Sequence, residues 1–203
     1  EKLLQTAQIK FTEIEAIGFH GQTIFHKPDA GLTLQIGNPH LLAQKTGINV
    51  VHDFRRRDVS LGGQGAPLVP IFHRLLVRDI EKPVVVVNIG GVANLTYINK
   101  DDLIAFDTGP GNALIDDVCL KYFNKSFDDS GQLASSGVID YSVVNKILAS
   151  EYVNAIYPKS LDRNDFKFLE DALADRNPID IIATLTYITS ATIAHSIAAL
   201  PEM

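Results

Sequence analysis

The segment from Pro83 to Asp107 constrains the fold of this chain more than any other. Four consecutive valines, Val84 to Val87, form an uninterrupted β-branched run, which is typical of a strand buried on both faces. The residues 88–91, Asn-Ile-Gly-Gly, predict a tight turn, 93–98 a returning strand, and 103–106 a third strand ending at Asp107. This arrangement predicts an α/β fold with a sheet near the middle of the chain.

Further strands and helices are predicted on both sides of this sheet. Asn38 followed by Pro39 predicts a helix start, and Gly47 its end. The other predicted strands are 14–19, 33–36 and 48–51, and the other predicted helices are 1–10, 67–77, 112–123, 140–150, 164–174 and 178–199. The change from loop-rich to strand-rich sequence predicts parts of two domains, 1–81 and 82–203. Because the chain starts inside a helical pattern and without Met, we expect it to be an internal part of a longer protein.

Charge and cysteine content exclude several functional classes. The net charge is −6 and the pI about 5.4, and the basic cluster 55–57 is too short to coat a nucleic-acid backbone, so we expect no nucleic-acid partner. No apolar run stands out as a bilayer span, which predicts no membrane association. A single cysteine, Cys119, fits a reducing cytosol. The spacing of His20 and His26 matches no zinc motif, so we predict no structural metal.

Asp107 is the strongest candidate for chemistry. It opens the stretch Asp-Thr-Gly-Pro-Gly-Asn, between a predicted strand end and a predicted helix start, and ligands bind at this position in open α/β sheets. Exposed N–H groups at a helix start favour an anion such as phosphate. A carboxylate there could act as a general base, hold Mg²⁺ through water, or simply cap the turn. We favour a functional role.

The Gly90-Gly91 turn is the second candidate site. Adjacent glycines let the backbone approach a ligand closely, and successive N–H groups of a turn can surround an anion. A tight hairpin without a ligand is the alternative. Asn88 and Asn94, which bracket the turn in an otherwise apolar hairpin, favour a binding role.

Two polar loops are the third candidate site. They are His20–Thr23 and Asp53–Asp58. Guanidinium groups bind carboxylates and phosphates through paired hydrogen bonds, although a solvated arginine run is the simpler interpretation. The chain contains neither a Walker A motif nor G-x-G-x-x-G, so a phosphate site would need another cradle, such as a glycine hairpin.

Six segments taken together resemble the anhydro-N-acetylmuramic acid kinase family, in order and spacing, from about residue 14 to 170. They are HGQT at 20–23, TLQIGNP at 33–39, DFRRRD at 53–58, GGQGAPLVP at 62–70, NIGGVANLT at 88–96 and FDTGPGN at 106–112. Lys159-Ser160 followed by Asn164-Asp165-Phe166 is similar to a later loop of the family, with a weaker match.

The resemblance implies an actin-like, ribonuclease H-like ATPase fold with two domains and ATP, accompanied by Mg²⁺, in the cleft. It implies a cytoplasmic sugar kinase that converts 1,6-anhydro-N-acetylmuramic acid and water to N-acetylmuramic acid 6-phosphate during peptidoglycan recycling, and it suggests a homodimer. Asp107 matches the family's catalytic aspartate, which would deprotonate the attacking water. The implied phosphate-binding residues are Asn88, Gly90, Gly91, Asn94, Gly109 and Gly111. The implied sugar-binding residues are His20, Gln22, Arg57, Asp58 and Gln64, with Arg57 chosen among three adjacent arginines.

Two family features do not occur in this sequence. Members begin with a glycine-serine-aspartate hairpin that forms a first phosphate site, and they end with a glycine-rich adenosine motif. We therefore expect this chain to hold only part of the ATP site and to leave apolar patches exposed. Two alternatives remain: another actin-like phosphotransferase or phosphatase, against which the DFRRRD and HGQT loops argue, and a non-catalytic binding module. An upstream phosphate hairpin in the natural reading frame would favour the kinase.

Overall fold

The computed structural model describes residues 2–161 and 163–201. The chain divides into two compact units, Glu1–Leu68 and Val69–Met203. The division lies before the predicted boundary at Glu81, because helix α4 (Pro70–Leu76) is bonded to the second unit. The ring Nδ1 of His73 lies 2.9 Å from Thr96 Oγ1, and Arg74 Nη2 donates to the carbonyl of Lys100 at 2.9 Å.

The first unit contains two pairs of strands. Strand β1 (Ala16–Phe19) runs parallel to β4 (Asn49–His52), and β2 (Gln22–Lys27) runs antiparallel to β3 (Leu32–Ile36). The helices of this unit are α1 (Lys2–Ala7), α2 (Pro39–Thr46) and α3 (Arg56–Ser60). Two of these elements fall in segments predicted as loops. β2 begins within the HGQT segment, because β3 is its hydrogen-bonded partner strand. α3 begins within the DFRRRD segment and continues to Ser60.

Helix α2 begins and ends where the sequence predicts. The side chain of Asn38 accepts a hydrogen bond of 2.9 Å from the N–H of Leu41, and Pro39 occupies the first turn. Gly47 ends the helix in the left-handed region, with φ of 68°, where a residue with a Cβ is strained.

The second unit is built on an antiparallel sheet in the order β5-β6-β7. The strands are β5 (Val84–Ile89), β6 (Val92–Asn99) and β7 (Asp102–Pro110). The prediction that the valine run is buried on both faces was wrong for this chain. In the described residues β5 pairs only with β6, and Val87 and Ile89 are 38% and 47% exposed. The apolar run therefore lies at a sheet edge, which agrees with the expected exposed apolar patches.

The helices that follow this sheet in the chain enclose the main core. They are α5 (Ala113–Phe123), α6 (Tyr141–Leu148), α7 (Glu151–Asn154), α8 (Phe168–Leu173) and α9 (Pro178–Ala198). The core joins side chains of α5, α6, α8 and α9, including Cys119, Ile147, Leu169 and Ile182. Contrary to the expectation from the sequence, α9 is long and apolar enough to cross a bilayer by length and composition alone, but half of that stretch is buried inside this chain, as in a core helix.

Candidate active site

Asp107 belongs to a row of polar side chains that crosses the sheet of the second unit. Asn88 of β5 is the register partner of Asn94 of β6, and Asn94 is the register partner of Asp107 of β7. Direct cross-strand partners present their side chains on the same face, with Cβ atoms roughly 5 Å apart. Asn88 is exposed, while Asn94 and Asp107 are half-buried. The sheet thus brings two amides and a carboxylate together.

A bulge in β7 gives Asp107 this position. Asn94 pairs with Asp107, yet its neighbour Ala93 pairs with Gly109, so Thr108 is the extra residue. The Thr108 side chain is buried, and its hydroxyl donates to the carbonyl of Ala93 at 3.2 Å. The sequence predicts that the strand ends at Asp107, but β7 continues to Pro110. Bulges re-aim side chains and are common beside active sites.

The Gly90-Gly91 turn is fastened to the start of α5. The carbonyl of Gly90 accepts from the N–H of Asn112 at 2.7 Å, and the carbonyl of Gly91 accepts from the N–H of Gly111 at 3.0 Å. The side-chain amide of Asn112 also donates to the carbonyl of Ile89 at 3.1 Å. The carbonyls of the turn are therefore directed towards the helix, and the turn and the helix start form one local unit.

The four glycines of the predicted phosphate site are of two kinds. A Cβ on Gly109 would lie 2.5 Å from Thr192 Oγ1, and one on Gly111 would overlap the carbonyl oxygen of Gly90. These two glycines permit close packing within the unit. A Cβ on Gly90 or Gly91 would instead meet no atom closer than 3.6 or 3.4 Å, respectively. The fold therefore does not require glycine at these two positions, and access for a ligand is a reason to have it there.

The carboxylate of Asp107 is fixed by a segment that lies far away in the sequence. Its Oδ2 accepts from the backbone N–H of Leu161 at 2.8 Å, and its own N–H donates to the carbonyl of Lys159 at 3.1 Å. The Tyr152 hydroxyl donates to the Asp107 carbonyl at 2.7 Å. Burial raises the pKa of the Asp107 carboxyl, and the Leu161 hydrogen bond opposes this increase. A carboxylate with a raised pKa takes up a proton more readily.

Tyr152 and Leu161 were missed by the sequence reasoning, and Lys159 was noted only through the weakly matching loop. The weak match to this family loop is nevertheless informative, because the carbonyl of Lys159 accepts a hydrogen bond from the N–H of Asp107. Asp165 belongs to the same family loop, and its charge contributes to raising the pKa of the Tyr152 hydroxyl. The side chain of Asn164 lies outside the described residues.

In the first unit, His20 is held by Arg55. The Arg55 Nε donates to His20 Nε2 at 2.9 Å, and His20 Nδ1 lies 2.8 Å from the carbonyl of Gly21. Together these contacts require a neutral imidazole with its proton on Nδ1. Arg55 Nη1 also donates to the carbonyl of Gly65 at 2.6 Å. Arg55 therefore ties two polar loops together and is committed to a structural role.

A pocket of about 470 Å³ lies beside His20 in this unit. Its polar lining includes Gln35, Asn38, Asp53 and Arg56. Arg56 is held by an ion pair of 3.3 Å with Asp53. Of the predicted sugar-binding residues, His20 lines this pocket, whereas Gln22, Arg57, Asp58 and Gln64 lie outside its lining.

The remaining predicted sugar-binding residues are exposed. Asp58 accepts from the N–H of Gly65 at 2.6 Å, which folds the glycine-rich loop back onto α3. Gln22 makes a weak contact of 3.4 Å with the carbonyl of Thr23. In the part of the chain that the structure describes, the Arg57 guanidinium forms no hydrogen bond or ion pair, so it is available to bind a ligand. Among the described residues no group of three or more His, Cys, Asp or Glu side chains could hold a metal ion.

Comparisons with known proteins agree with the resemblance carried by the motifs. The family model described as anhydro-N-acetylmuramic acid kinase matches residues 1–202. Proteins named anhydro-N-acetylmuramic acid kinase are similar to this chain. The one from Bradyrhizobium diazoefficiens is 50% identical over 193 residues, which is 94% of this chain and 52% of that protein. Those from Zymomonas mobilis and Coxiella burnetii are 47% and 46% identical, over 93% and 95% of this chain and 52% and 54% of their own lengths. The chain spans about half the length of the curated relatives it matches.

Proposed function

Because the chain belongs to the anhydro-N-acetylmuramic acid kinase family, we propose that its protein phosphorylates 1,6-anhydro-N-acetylmuramic acid with ATP and opens the anhydro ring with water. The product is N-acetylmuramic acid 6-phosphate, an intermediate of peptidoglycan recycling. ATP and the anhydro sugar are its small-molecule partners. We expect a cytoplasmic protein, and we propose a homodimer by analogy with the family.

The observation that carries this proposal is the environment of Asp107. The carboxylate is half-buried, and one of its oxygens is fixed by the N–H of Leu161. It is directly opposite Asn94 on the neighbouring strand. A general base needs this combination of fixed geometry and raised proton affinity. An aspartate that merely capped its own turn would accept from N–H groups nearby in the chain, whereas Asp107 accepts from Leu161, 54 residues later.

Asp107 acts as the general base in the proposed reaction. It removes a proton from the water that attacks the anomeric carbon of the sugar. The bond from that carbon to O6 breaks, and O6 takes the γ-phosphoryl group of ATP, which leaves ADP. One water is consumed, and the carboxylic acid formed on Asp107 later returns its proton to solvent. Such base catalysis is typically worth about 10²–10⁴ in rate.

In this proposal ATP, with Mg²⁺ as its counter-ion, binds at the open turn of Gly90 and Gly91. Both positions leave space where a side chain would otherwise stand, and Asn88 and Asn94 flank the turn with amide groups. Gly109 and Gly111 support the site indirectly, because they allow close packing at Thr192 and at the turn itself. Mg²⁺ would neutralise phosphate charge during the transfer.

We propose that the sugar is bound by His20, Gln22, Arg57, Asp58 and Gln64 of the first unit. The lactyl carboxylate of the sugar suits a guanidinium. Arg57 is the favoured partner because its guanidinium is uncommitted among the described residues. Arg55 is engaged with His20 and Gly65. Asp58 holds the glycine-rich loop and so shapes this region even before a ligand binds.

The direct test is product analysis with the complete polypeptide in which this sequence occurs. It is incubated with ATP, Mg²⁺ and the anhydro sugar, and the products are identified by mass spectrometry and NMR. We expect a sugar that has gained one water and one phosphoryl group on O6. A sugar phosphate with its anhydro ring intact would remove the water-activating role of Asp107. Binding of both ligands without any turnover would favour the binding-module alternative.

A further inference from the structure

We propose that Tyr152, Lys159 and the backbone of Leu161 form a clasp that positions the Asp107 carboxylate, which makes Tyr152 and Lys159 positioning residues for the reaction. The inference rests on the proposed function, because it assigns these residues a role in base catalysis by Asp107. These residues belong to a chain segment some fifty residues later in the sequence that packs onto the strand carrying the base.

Three hydrogen bonds from one segment converge on Asp107. The Tyr152 hydroxyl donates to the Asp107 carbonyl at 2.7 Å, and the N–H of Asp107 donates to the carbonyl of Lys159 at 3.1 Å. The N–H of Leu161 donates to Oδ2 of Asp107 at 2.8 Å. The first two fix the backbone of the strand, and the third fixes the carboxylate itself. Within the described residues Oδ1 accepts no hydrogen bond, so it is the oxygen that we assign to accept a proton from water.

The ammonium group of Lys159 closes the clasp. It donates to the carbonyls of Tyr152 and Val153 at 3.0 and 2.9 Å, which lie in the short helix α7. It also lies 4.9 Å from the centre of the Tyr152 ring and 5.5 Å from the centre of the Phe106 ring. Hydrogen bonds and two aromatic faces together stabilise a partly desolvated cation. Lys159 forms no salt bridge within the part of the chain described here.

The protonation states are consistent with this role. Burial and the charge of Asp107 raise the pKa of the Tyr152 hydroxyl, so the hydroxyl remains a donor at neutral pH. Burial lowers the pKa of the Lys159 ammonium and so disfavours its charged form, whereas the carbonyls of Tyr152 and Val153, which accept its hydrogen bonds, favour that form. Such a group provides structural support at a fixed position.

The clasp matters for rate because base catalysis depends on position. A misplacement of about 1 Å can cost roughly 10²-fold in rate. A surface aspartate would sample several rotamers, whereas Asp107 has one oxygen fixed to a main-chain donor. Loosening the segment would release that oxygen without removing the carboxylate. The expected signature is a loss of turnover with little change in substrate affinity.

The test uses Tyr152→Phe and Lys159→Met in the complete polypeptide. Tyr152→Phe removes only the donor to Asp107, and Lys159→Met keeps the aliphatic chain while removing the charge. We expect kcat to fall about 10-fold in each variant, with KM for ATP and for the sugar within about twofold. Tyr157→Phe is the matched control. Its ring stacks on Phe106 at 5.2 Å, but in the described residues its hydroxyl has no hydrogen-bond partner, so kcat should be unchanged.

A double-mutant cycle separates positioning from general stability. In an Asp107→Asn background the base is absent, so Tyr152→Phe should lower the residual rate no further. A further 10-fold loss in that background, or no loss in the single variants, would overturn the clasp. If the wild type and Asp107→Asn turn over equally, the proposed function fails instead. Should Lys159→Met fail to fold, Tyr152→Phe alone decides the question.

Discussion

The Oδ2 atom of Asp107 accepts a hydrogen bond of 2.8 Å from the backbone N–H of Leu161, which lies 54 residues later in the chain. This contact and the burial of the carboxyl act in opposite directions on its pKa. Burial is the larger influence, so the pKa is raised. The same burial that prepares Asp107 to accept a proton therefore makes its ionised form costly to the fold.

We predict that Asp107→Asn makes the protein more stable at pH 7. The folded pKa of Asp107 lies above its unfolded value of about 3.9. The folded state therefore binds the proton more tightly, and this contribution to stability is present at low pH and lost as the pH rises through the folded pKa. An asparagine keeps an oxygen for the Leu161 N–H and carries no charge.

Thermal unfolding of both proteins at pH 7 and near pH 4 checks this prediction. The advantage of the variant should be clear at pH 7 and shrink towards pH 4. Asp102→Asn, an exposed substitution in the same strand, should show no such change. A variant that is less stable than the wild type at pH 7 would contradict the argument.

One added methyl group should have different effects at the two kinds of glycine. Gly90→Ala should fold normally because the nearest atom to its Cβ is 3.6 Å away, but the methyl group would obstruct ATP and weaken its binding by about 10-fold or more. Gly109→Ala should lose about 1–3 kcal/mol of stability, because its Cβ would overlap Thr192. Calorimetry of ATP binding together with thermal unfolding distinguishes them. Normal ATP affinity in Gly90→Ala would remove the turn from the phosphate site.

The three adjacent arginines should separate by role when each is replaced by glutamine. Arg57→Gln should raise KM for the sugar about 10-fold, the loss of one charged hydrogen-bonding partner, without lowering the melting temperature. Arg55→Gln should lower the melting temperature, since Arg55 bridges His20 and Gly65. Steady-state kinetics and thermal unfolding measure both effects. A larger KM effect from Arg56→Gln, whose side chain lines the pocket, would transfer the role of Arg57 to Arg56.

Local sequence signals predicted local structure well. The cap at Asn38, the left-handed end at Gly47 and the hairpin at Gly90-Gly91 each depend on residues close together in the chain, and each occurs where predicted. The sequence also points to Asp107, whose catalytic role stays a prediction. These features depend on backbone geometry that a few neighbouring residues determine.

Long-range contacts account for what the sequence could not predict. The bulge at Thr108 depends on how β6 and β7 align, and the clasp depends on a segment fifty residues away. Gly109 looks like a ligand-binding glycine in sequence, but its close neighbour is Thr192. The valine run is apolar enough for a buried strand, yet its burial depends on which strands lie beside it.

The most direct test of the account is sugar-dependent ADP release by the complete polypeptide and by its Asp107→Asn variant, with ATP affinity measured in parallel. We predict that the wild type releases ADP only when the anhydro sugar is present. The variant should turn over at least about 10²-fold more slowly and bind ATP with nearly unchanged affinity. Near-normal turnover in the variant, or ADP release by the wild type that does not depend on the sugar, would contradict the account.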